Sequence, residues 1–431
     1  MKSKTFMGGV NPRENKESTI DSPINIILSG NELIFPLLQH NGTSSKAIVE
    51  VGDKVLAGQK IAKAEGFYSV PLHTSVSGTV THIEPRRVSA GEMIMSIVIS
   101  NDGLYDEFIY PEAPPLDDME PADIISRIQD AGIVGMGGAG YPTHIKLSPA
   151  NPEKISHVII NAAESEPYLT KDHRLLIDDT DRLLNGVKIL LKLFPYARGI
   201  IAITENKTES ISLLKERTNK DRRVGVKTLK PKYPQGSERQ IIMAVTGRTL
   251  DSRTLPQDIG VILLNAETVI NIFMAVANNK NSTTRIITAS GDALSNPQNF
   301  NVRLGTIFSD IIEQAGGFLK EPAKIISGGP MMGHAIIDKY IPITKMTSAI
   351  LCFTKDEVAL AAKTACIHCG KCAGVCPEQL IPVKLAYFAE HDDKESFHKY
   401  QGEECIECGC CTYICPAKIS LKQMIVTAKN K

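Results

Sequence analysis

The sequence contains no tryptophan, no excess of either charge and no long apolar run. The first absence excludes nothing. The second excludes a global field: Lys plus Arg and Asp plus Glu both total 48, so the chain as a whole draws neither nucleic acid nor anionic lipid. The third excludes a membrane span, which needs roughly 20 apolar residues in a row. The nearest approach, residues 260–277, carries Asn265, Glu267, Thr268 and Asn271, which a bilayer penalises. Residues 1–18 are polar and lack the apolar centre of a signal peptide. The expectation is a soluble chain in a reducing compartment, free to dock on a membrane partner. Its 431 residues, 42% of them hydrophobic, allow about three or four domains with ordinary cores.

Cysteine is where the sequence is rich. Cys366, Cys369, Cys372 and Cys376 precede Pro377; Cys405, Cys408, Cys411 and Cys415 precede Pro416. Both runs read C-x2-C-x2-C-x3-C-P, the spacing of bacterial two-cluster ferredoxins, in which the fourth cysteine of each run ligates the other cluster. The spacing therefore predicts one [4Fe–4S] centre on Cys366, Cys369, Cys372 and Cys415. The second falls on Cys405, Cys408, Cys411 and Cys376. Zinc sites use paired C-x2-C arms, and disulfide frameworks belong to small secreted domains. Cys410 is an alternative ligand beside Cys411, though the spacing favours Cys411. Cys352, alone in sequence, reads as a buried core thiol. Clusters relay single electrons, so the remaining chain must hold what they connect to.

Residues 1–35 read as an irregular arm broken by Gly8, Gly9, Pro12 and Pro23. Residues 36–110 are β-rich, with short alternating runs and turns at Gly52-Asp53 and Gly58. They resemble the biotinyl/lipoyl carrier barrel. The tip that carries a modifiable lysine in such barrels has Phe67 and Tyr68 here, so the barrel is read as unmodified. Residues 111–121 are a Pro- and Asp-rich linker, followed by a helix from Ala122. Strands and helices then alternate to residue 282, including a capping-box spacing at Ser237 and Gln240, which predicts an α/β sheet covered on both faces. Residues 283–347 form a small α+β unit. Residues 348–431 hold the cysteines, with a helical stretch from Val383 to Tyr400.

Gly135, Gly137 and Gly140 satisfy G-x-G-x-x-G. The segment before them reads as helix, and Glu164 and Glu166 lie beyond the usual ~20-residue offset, so a Rossmann fingerprint is rejected. Such glycines still let backbone N–H groups approach an anion or a flat ring. Pro142 opens a following helix, with Lys146 about one turn in.

The stretch G-M-G-G-A-G-Y-P-T-H-I-K, with N-A-A-E-S-E-P after it, resembles the flavin site of the NADH-oxidising 51 kDa subunit of respiratory complex I. The order of segments resembles more closely the RnfC family, a component of the Rnf electron-transport complex. That likeness includes the arm F-M-G-G-V-N-P-R-E-N-K and the β-grasp (soluble-ligand-binding) stretch from S-G-D-A-L-S-N-P to G-G-P-M-M-G. It implies a multidomain α/β plus β protein: arm, unmodified barrel, α/β FMN-binding domain, β-grasp domain and helical two-cluster ferredoxin domain. It also implies FMN contacts at Gly135, Gly137, Gly138, Lys146, Asn161, Glu164, Tyr233, Gly236, Glu238, Asn265 and Thr268. Glu166 matches the carboxylate that meets the nicotinamide nucleotide. Ala163 stands where the complex I flavin protein has aspartate, and Ser165 where Rnf relatives often have cysteine. Lys171, His173 and Arg174 either reach a nucleotide phosphate or line a solvated helix face.

NAD(H) exchanges electrons in pairs and a cluster exchanges them singly; FMN does both and belongs between them. No side-chain acid or base is needed, so no catalytic residue is assigned. The resemblance implies a peripheral component on the cytoplasmic face of a membrane complex, whose partners are the other subunits, NAD(H) and, indirectly, ferredoxin. No basic patch points to nucleic acid. Two alternatives stand beside this: a soluble NADH-dependent protein feeding a reductase, as in proline reduction, and a cluster-bearing scaffold with a degenerate flavin site.

Overall fold

The computed structural model describes residues 3–430. The arm is not irregular throughout. Strand β1 (Ile24–Ile26) pairs in parallel with a distant sheet edge, and β2 (Glu32–Pro36) joins the barrel. The rest of the arm lies along the flavin domain: Lys4 bridges Leu229, and Val10 forms an antiparallel bridge with Tyr233.

The barrel is built from β3 (Lys46–Ala47), β4 (Lys54–Val55), β5 (Lys60–Lys63), β6 (Leu72–His73), β7 (Gly78–Arg87) and β8 (Met93–Asn101). With β2 they form two sheets, β2-β8-β7-β4 and β3-β5-β6. Alternation along the strands turns Leu33, Phe35, Ile61, Val80, Ile97 and Ile99 inward. The β5–β6 tip presents Phe67 and Tyr68, both exposed. Phe67 meets His144 edge-on and Tyr68 meets Tyr141, so the tip leans on the glycine-loop region.

Helix α1 (Pro121–Asp130) starts in a capping box between Glu120 and Asp123 and buries Ile124 and Ile128. After the single turn α2 (Thr143–Lys146) come β9 (His157–Ala162), α3 (Lys171–Asp178), α4 (Thr180–Leu193), β10 (Arg198–Thr204), α5 (Thr208–Thr218), β11 (Val224–Leu229), α6 (Glu238–Thr246), β12 (Val261–Asn265) and α7 (Ala266–Asn278). The four strands are parallel in the order β11-β10-β9-β12. Their near-continuous apolar runs fit a sheet buried on both faces. Leu183, Val187 and Leu190 of α4 and Val269 and Ile272 of α7 cover one face. Ile241, Ile242 and Val245 of α6 cover the other. Ser237 does stand at the N-cap of α6, but its side chain makes no cap bond. Gln240, expected to reach back to it, donates instead to Glu378 at 2.6 Å.

The next sheet contains β13 (Thr284–Ser290), β14 (Gln298–Arg303), β15 (Lys324–Ser327), β16 (His334–Ile336) and β17 (Ala349–Phe353), in the order β1-β14-β13-β17-β15-β16, with α8 (Phe308–Gln314) packed against it. β17 lies past the expected boundary at residue 347. Its run Ala349–Leu351 is fully buried between β13 and β15, so the sheet is incomplete without it. The cysteine region is helical: α9 (Glu357–Leu360), α10 (Lys371–Gly374), α11 (Pro382–Glu390), α12 (Lys394–Lys399), α13 (Cys410–Ile414) and α14 (Leu421–Lys429). Cys352 is a buried thiol on β17.

Lys345 joins three of these units. It is fully buried and donates to Pro71 O at 3.1 Å and Gly132 O at 2.6 Å. Burial lowers its pKa from 10.5 to about 7. Between those values the unfolded chain holds more protons than the folded one, so this group makes stability rise with pH. Lys345→Met should flatten the rise in melting temperature between pH 7 and pH 9; an unchanged slope would assign that pH dependence to other groups.

Candidate cofactor sites

The parallel sheet reverses its winding between β9 and β12. The chain runs outward from β9 to β10 and β11, then returns to the far side of β9. In such sheets ligands bind in the crevice outside the carboxyl ends of the strands at that reversal. Asn161 and Asn265 face one another there in register. The glycine loop lies over the same point: a Cβ on Gly137 would sit 3.4 Å from Cβ of Asn265. The loop folds on itself, with the Gly135 N–H donating to Tyr141 O and the Gly140 N–H to Gly135 O. Gly138 at φ 105° and Gly140 at φ 62° need glycine for this path. Gly137, Gly138 and Ala139 are exposed, and their N–H groups have no acceptor among the described residues. Three such donors in a row form a concavity for an anion or an electron-rich ring edge.

What holds the loop is buried charge. The Met136 N–H donates to Thr268 Oγ1 at 2.9 Å, and Met136 O accepts from Arg285 Nη2 at 2.9 Å. Arg285 pairs with Glu267 at 2.9 Å, Glu267 with Lys171 at 2.8 Å, and Lys171 with Asp172 at 2.7 Å. Burial opposes charge on Lys171, yet Asp172 and Glu267 beside it hold its pKa above the usual lysine range. Asn265 donates to Asp172 at 2.9 Å and caps α7 by accepting the Glu267 N–H.

This geometry redistributes the expected site residues. Gly135, Gly137, Gly138, Lys146, Asn161, Gly236, Glu238, Asn265 and Thr268 gather around the crevice. Lys146 donates to Glu238 at 2.7 Å and to Leu263 O at 3.2 Å. Asn161 donates to Gly236 O, and Gly236 donates to Ser165 Oγ. Glu164 is committed elsewhere. Its carboxylate accepts the first N–H groups of α3, at Asp172 and His173, and pairs with Lys207 at 3.3 Å. Its carbonyl accepts from Lys16 of the arm at 2.8 Å. Glu166 accepts from the N–H groups of Met331 and Met332 at 3.1 and 3.0 Å, and burial raises its pKa to about 7. Lys171 and His173 line no solvated face: Lys171 is in the buried network and His173 Nδ1 meets Ser210 Oγ at 3.0 Å, while Arg174 alone reaches the exposed side of α3, where it pairs with Asp178. Ala163 packs its methyl group into the core.

The cysteine runs repeat one backbone pattern: His368 and Glu407, Gly370 and Gly409, and Gln379 and Lys418 have positive φ at matching places. Cys376, Cys405, Cys408 and Cys411 line one cavity. The Glu407 N–H points at the Cys405 sulfur at 3.4 Å. That is how protein dipoles support a cluster's thiolates. Burial raises the Cys376 and Cys411 thiols to about 11 and about 12; iron binding would offset that cost. Cys410 lines the same cavity but is wholly buried beneath Tyr233, its sulfur 4.0 Å from Tyr233 O. Of the other set, Cys366 and Cys372 lie close enough to influence one another, and Cys369 is exposed.

Comparison with known proteins gives the same parts. Residues 4–104 match the RnfC barrel sandwich hybrid domain and 128–274 the Nuo51 FMN-binding domain; 286–335 match the SLBB domain and 365–419 the 4Fe–4S dicluster domain. Over 395 residues the chain is 41% identical to the RnfC component of the Na+-translocating ferredoxin:NAD+ oxidoreductase complex of Acetobacterium woodii, covering 91% of this chain and 89% of that one. The proton-translocating counterpart from Clostridium ljungdahlii is 39% identical over 90% and 85% of the two chains. The chain belongs to the RnfC family. The Haemophilus influenzae member is 35% identical over 92% of this chain and 61% of its own. A solved NAD+-reducing [NiFe]-hydrogenase in the air-oxidized state shares the fold, with TM-score 0.53 and 19% identity over 73% of this chain and 62% of that one.

The crevice fits the FMN of this family on its own chemistry: free loop N–H groups, a half-buried Lys146, and one residue the sequence did not single out. Gln235 is fully buried, and neither atom of its amide has a partner among the described residues, the usual mark of a missing ligand or water. It lay inside the Y-P-Q-G motif, but nothing in the spacing distinguished its amide from a core one. Arg285→Met should destabilise the fold by ~3–5 kcal/mol, because Glu267 then shares one cation fewer in a buried site. Chemical denaturation of the cluster-loaded protein checks this; a loss under ~1 kcal/mol would remove the network from its role beneath the loop.

Proposed function

We infer that this chain is the peripheral NAD(H)- and FMN-binding component of a membrane-bound Rnf-type complex, which links electron transfer between ferredoxin and NAD to ion movement. The described residues contain no helix long and apolar enough to cross a membrane, and we place the chain on the cytoplasmic face, carried by other subunits. One observation supports the electron path above all. The short stretch Tyr233–Gly236 touches the crevice at one end, through Asn161 and Ser165, and Cys408 at the other, through the Tyr233 hydroxyl.

When bound, FMN exchanges electrons in pairs with NAD(H) and singly with the clusters. The N–H groups of Gly137 and Gly138 and the ammonium of Lys146 would hold the flavin's anionic part, and Gln235 offers an amide to its polar edge. Asn161, Asn265 and Thr268 keep the crevice in shape. Glu164 and Glu166 act one step back, as ties between segments. Arg239 of α6 holds Glu378 and Glu404, both at 2.8 Å. These carboxylates flank Cys376 and Cys405, so the second cluster sits nearer the flavin. The set containing exposed Cys369 faces outward, toward partner subunits. Neither the soluble-reductase reading nor the scaffold reading has an observation in its favour.

Cysteine variants test the order. With FMN and NADH under anaerobic conditions, Cys408→Ser should leave flavin reduction intact while slowing reduction of the outer cluster by at least about tenfold. Cys369→Ser should leave reduction of the inner cluster at the parent rate. Rapid outer-cluster reduction in the Cys408 variant would reverse the assignment.

A further inference from the structure

The family resemblance puts Tyr233 on the flavin face, yet its hydroxyl turns the other way. Tyr233 is only 2% exposed and donates its O–H to the carbonyl of Cys408 at 2.7 Å. Its ring packs with Val10, Cys408 and Cys410, with Met331, Val375 and Ile406 around them. Its backbone is fixed on both sides by the arm: the Val10 N–H donates to Tyr233 O at 2.8 Å, and the Tyr233 N–H donates to Val10 O at 2.9 Å. The arm in turn grips the cluster loop, the Gly9 N–H donating to Val375 O at 2.8 Å. Both arm glycines are required there. A Cβ on Gly8, at φ 75°, would lie 2.7 Å from Cys376 O, and one on Gly9, at φ 81°, would lie 2.6 Å from Tyr233 O.

We propose that Tyr233 is a positioning residue of the electron path: its hydroxyl fixes the Cys408 loop against the flavin domain and raises the reduction potential of the second cluster. The proposal rests on the functional reading above for the identity of that cluster. A reduced cluster carries one more negative charge than an oxidised one. The positive end of the O–H dipole, directed at the peptide of a ligand cysteine in a buried site, favours the reduced form. Hydrogen bonding and solvent exclusion are the usual means by which a protein tunes a cluster of fixed ligand set. The step served is passage of one electron between flavin and cluster; Tyr233 itself neither gains nor loses an electron or a proton.

A core tyrosine that only needs a partner for its hydroxyl would show the same contact, so the test reads potential. The full chain with both clusters is titrated anaerobically and followed by electron paramagnetic resonance, without NADH or FMN. Tyr233→Phe should make reduction of one cluster about threefold less favourable, roughly 30 mV for a one-electron couple, and leave the other cluster and the iron content unchanged. Site-specific 3-fluorotyrosine at 233, a stronger donor of nearly the same shape, should move the same cluster the opposite way. Unchanged potentials, equal shifts of both clusters, or shifts of the same sign in the two variants would overturn the proposal. If the phenylalanine variant fails to hold its clusters, the fluorotyrosine protein decides alone: a rise supports the proposal and no change overturns it. Because neither nucleotide nor flavin is present, failure of the functional reading would show elsewhere, as a flavin that NADH does not reduce.

Discussion

The buried chain of charge Asp172–Lys171–Glu267–Arg285 fixes the place where everything else meets. Such groups are costly to bury and stable only as a satisfied set. Here the set ties together α3, the start of α7, and β13 of the neighbouring sheet, which also share an apolar core through Leu175, Val269 and Ile286. Its outer member, Arg285, holds Met136 O while Thr268 holds the Met136 N–H. The glycine loop is thus anchored at one residue and left open at the next three. An open loop of backbone donors is useful only if it does not collapse, and this anchor prevents that.

A second constraint is the seam between flavin and clusters. Single-electron transfer weakens steeply with distance, so the two sites need fixed spacing without covalent connection. The seam supplies it with short polar contacts, most of them partly buried. Glu166 binds the Met331 and Met332 N–H groups, and Lys422 of α14 donates to Met331 O at 3.2 Å. The β-grasp loop is thereby gripped by the flavin domain on one side and the cluster domain on the other. The arm closes the remaining side through Lys232, which donates to Phe6 O and Gly8 O at 2.6 and 2.7 Å and lies over the Phe6 ring.

Much of this was legible in the sequence, for reasons that differ by residue. The cluster cysteines were readable because metal ligation fixes spacing, and spacing survives without tertiary information. The parallel strands were readable because strands buried on both faces are written as unbroken apolar runs. The glycine loop was readable as a close-approach element. What the sequence hid was side-chain direction. Lys171 and His173 read as phosphate contacts or a solvated helix face because their partners, Glu267 and Ser210, are far away in sequence. Glu164 and Glu166 looked like ligands, yet one caps a helix and the other joins two domains. β17 was assigned to the cluster domain because a five-residue apolar strand carries no label for the sheet it will enter. Tyr233 lay in a recognisable motif that says nothing of which side its hydroxyl faces.

The proposed function stands on one path: electrons pass between NAD(H) and the cysteine-bound clusters through a flavin held at the β9–β12 crevice. Anaerobic titration with NADH of protein reconstituted with FMN and clusters tests it most directly. Flavin bleaching follows the first step, and the paramagnetic signal of reduced clusters follows the second. Prompt NADH-dependent bleaching is expected; clusters of low potential can stay silent without altering that result. A flavin that stays oxidised with NADH but bleaches with dithionite would contradict it.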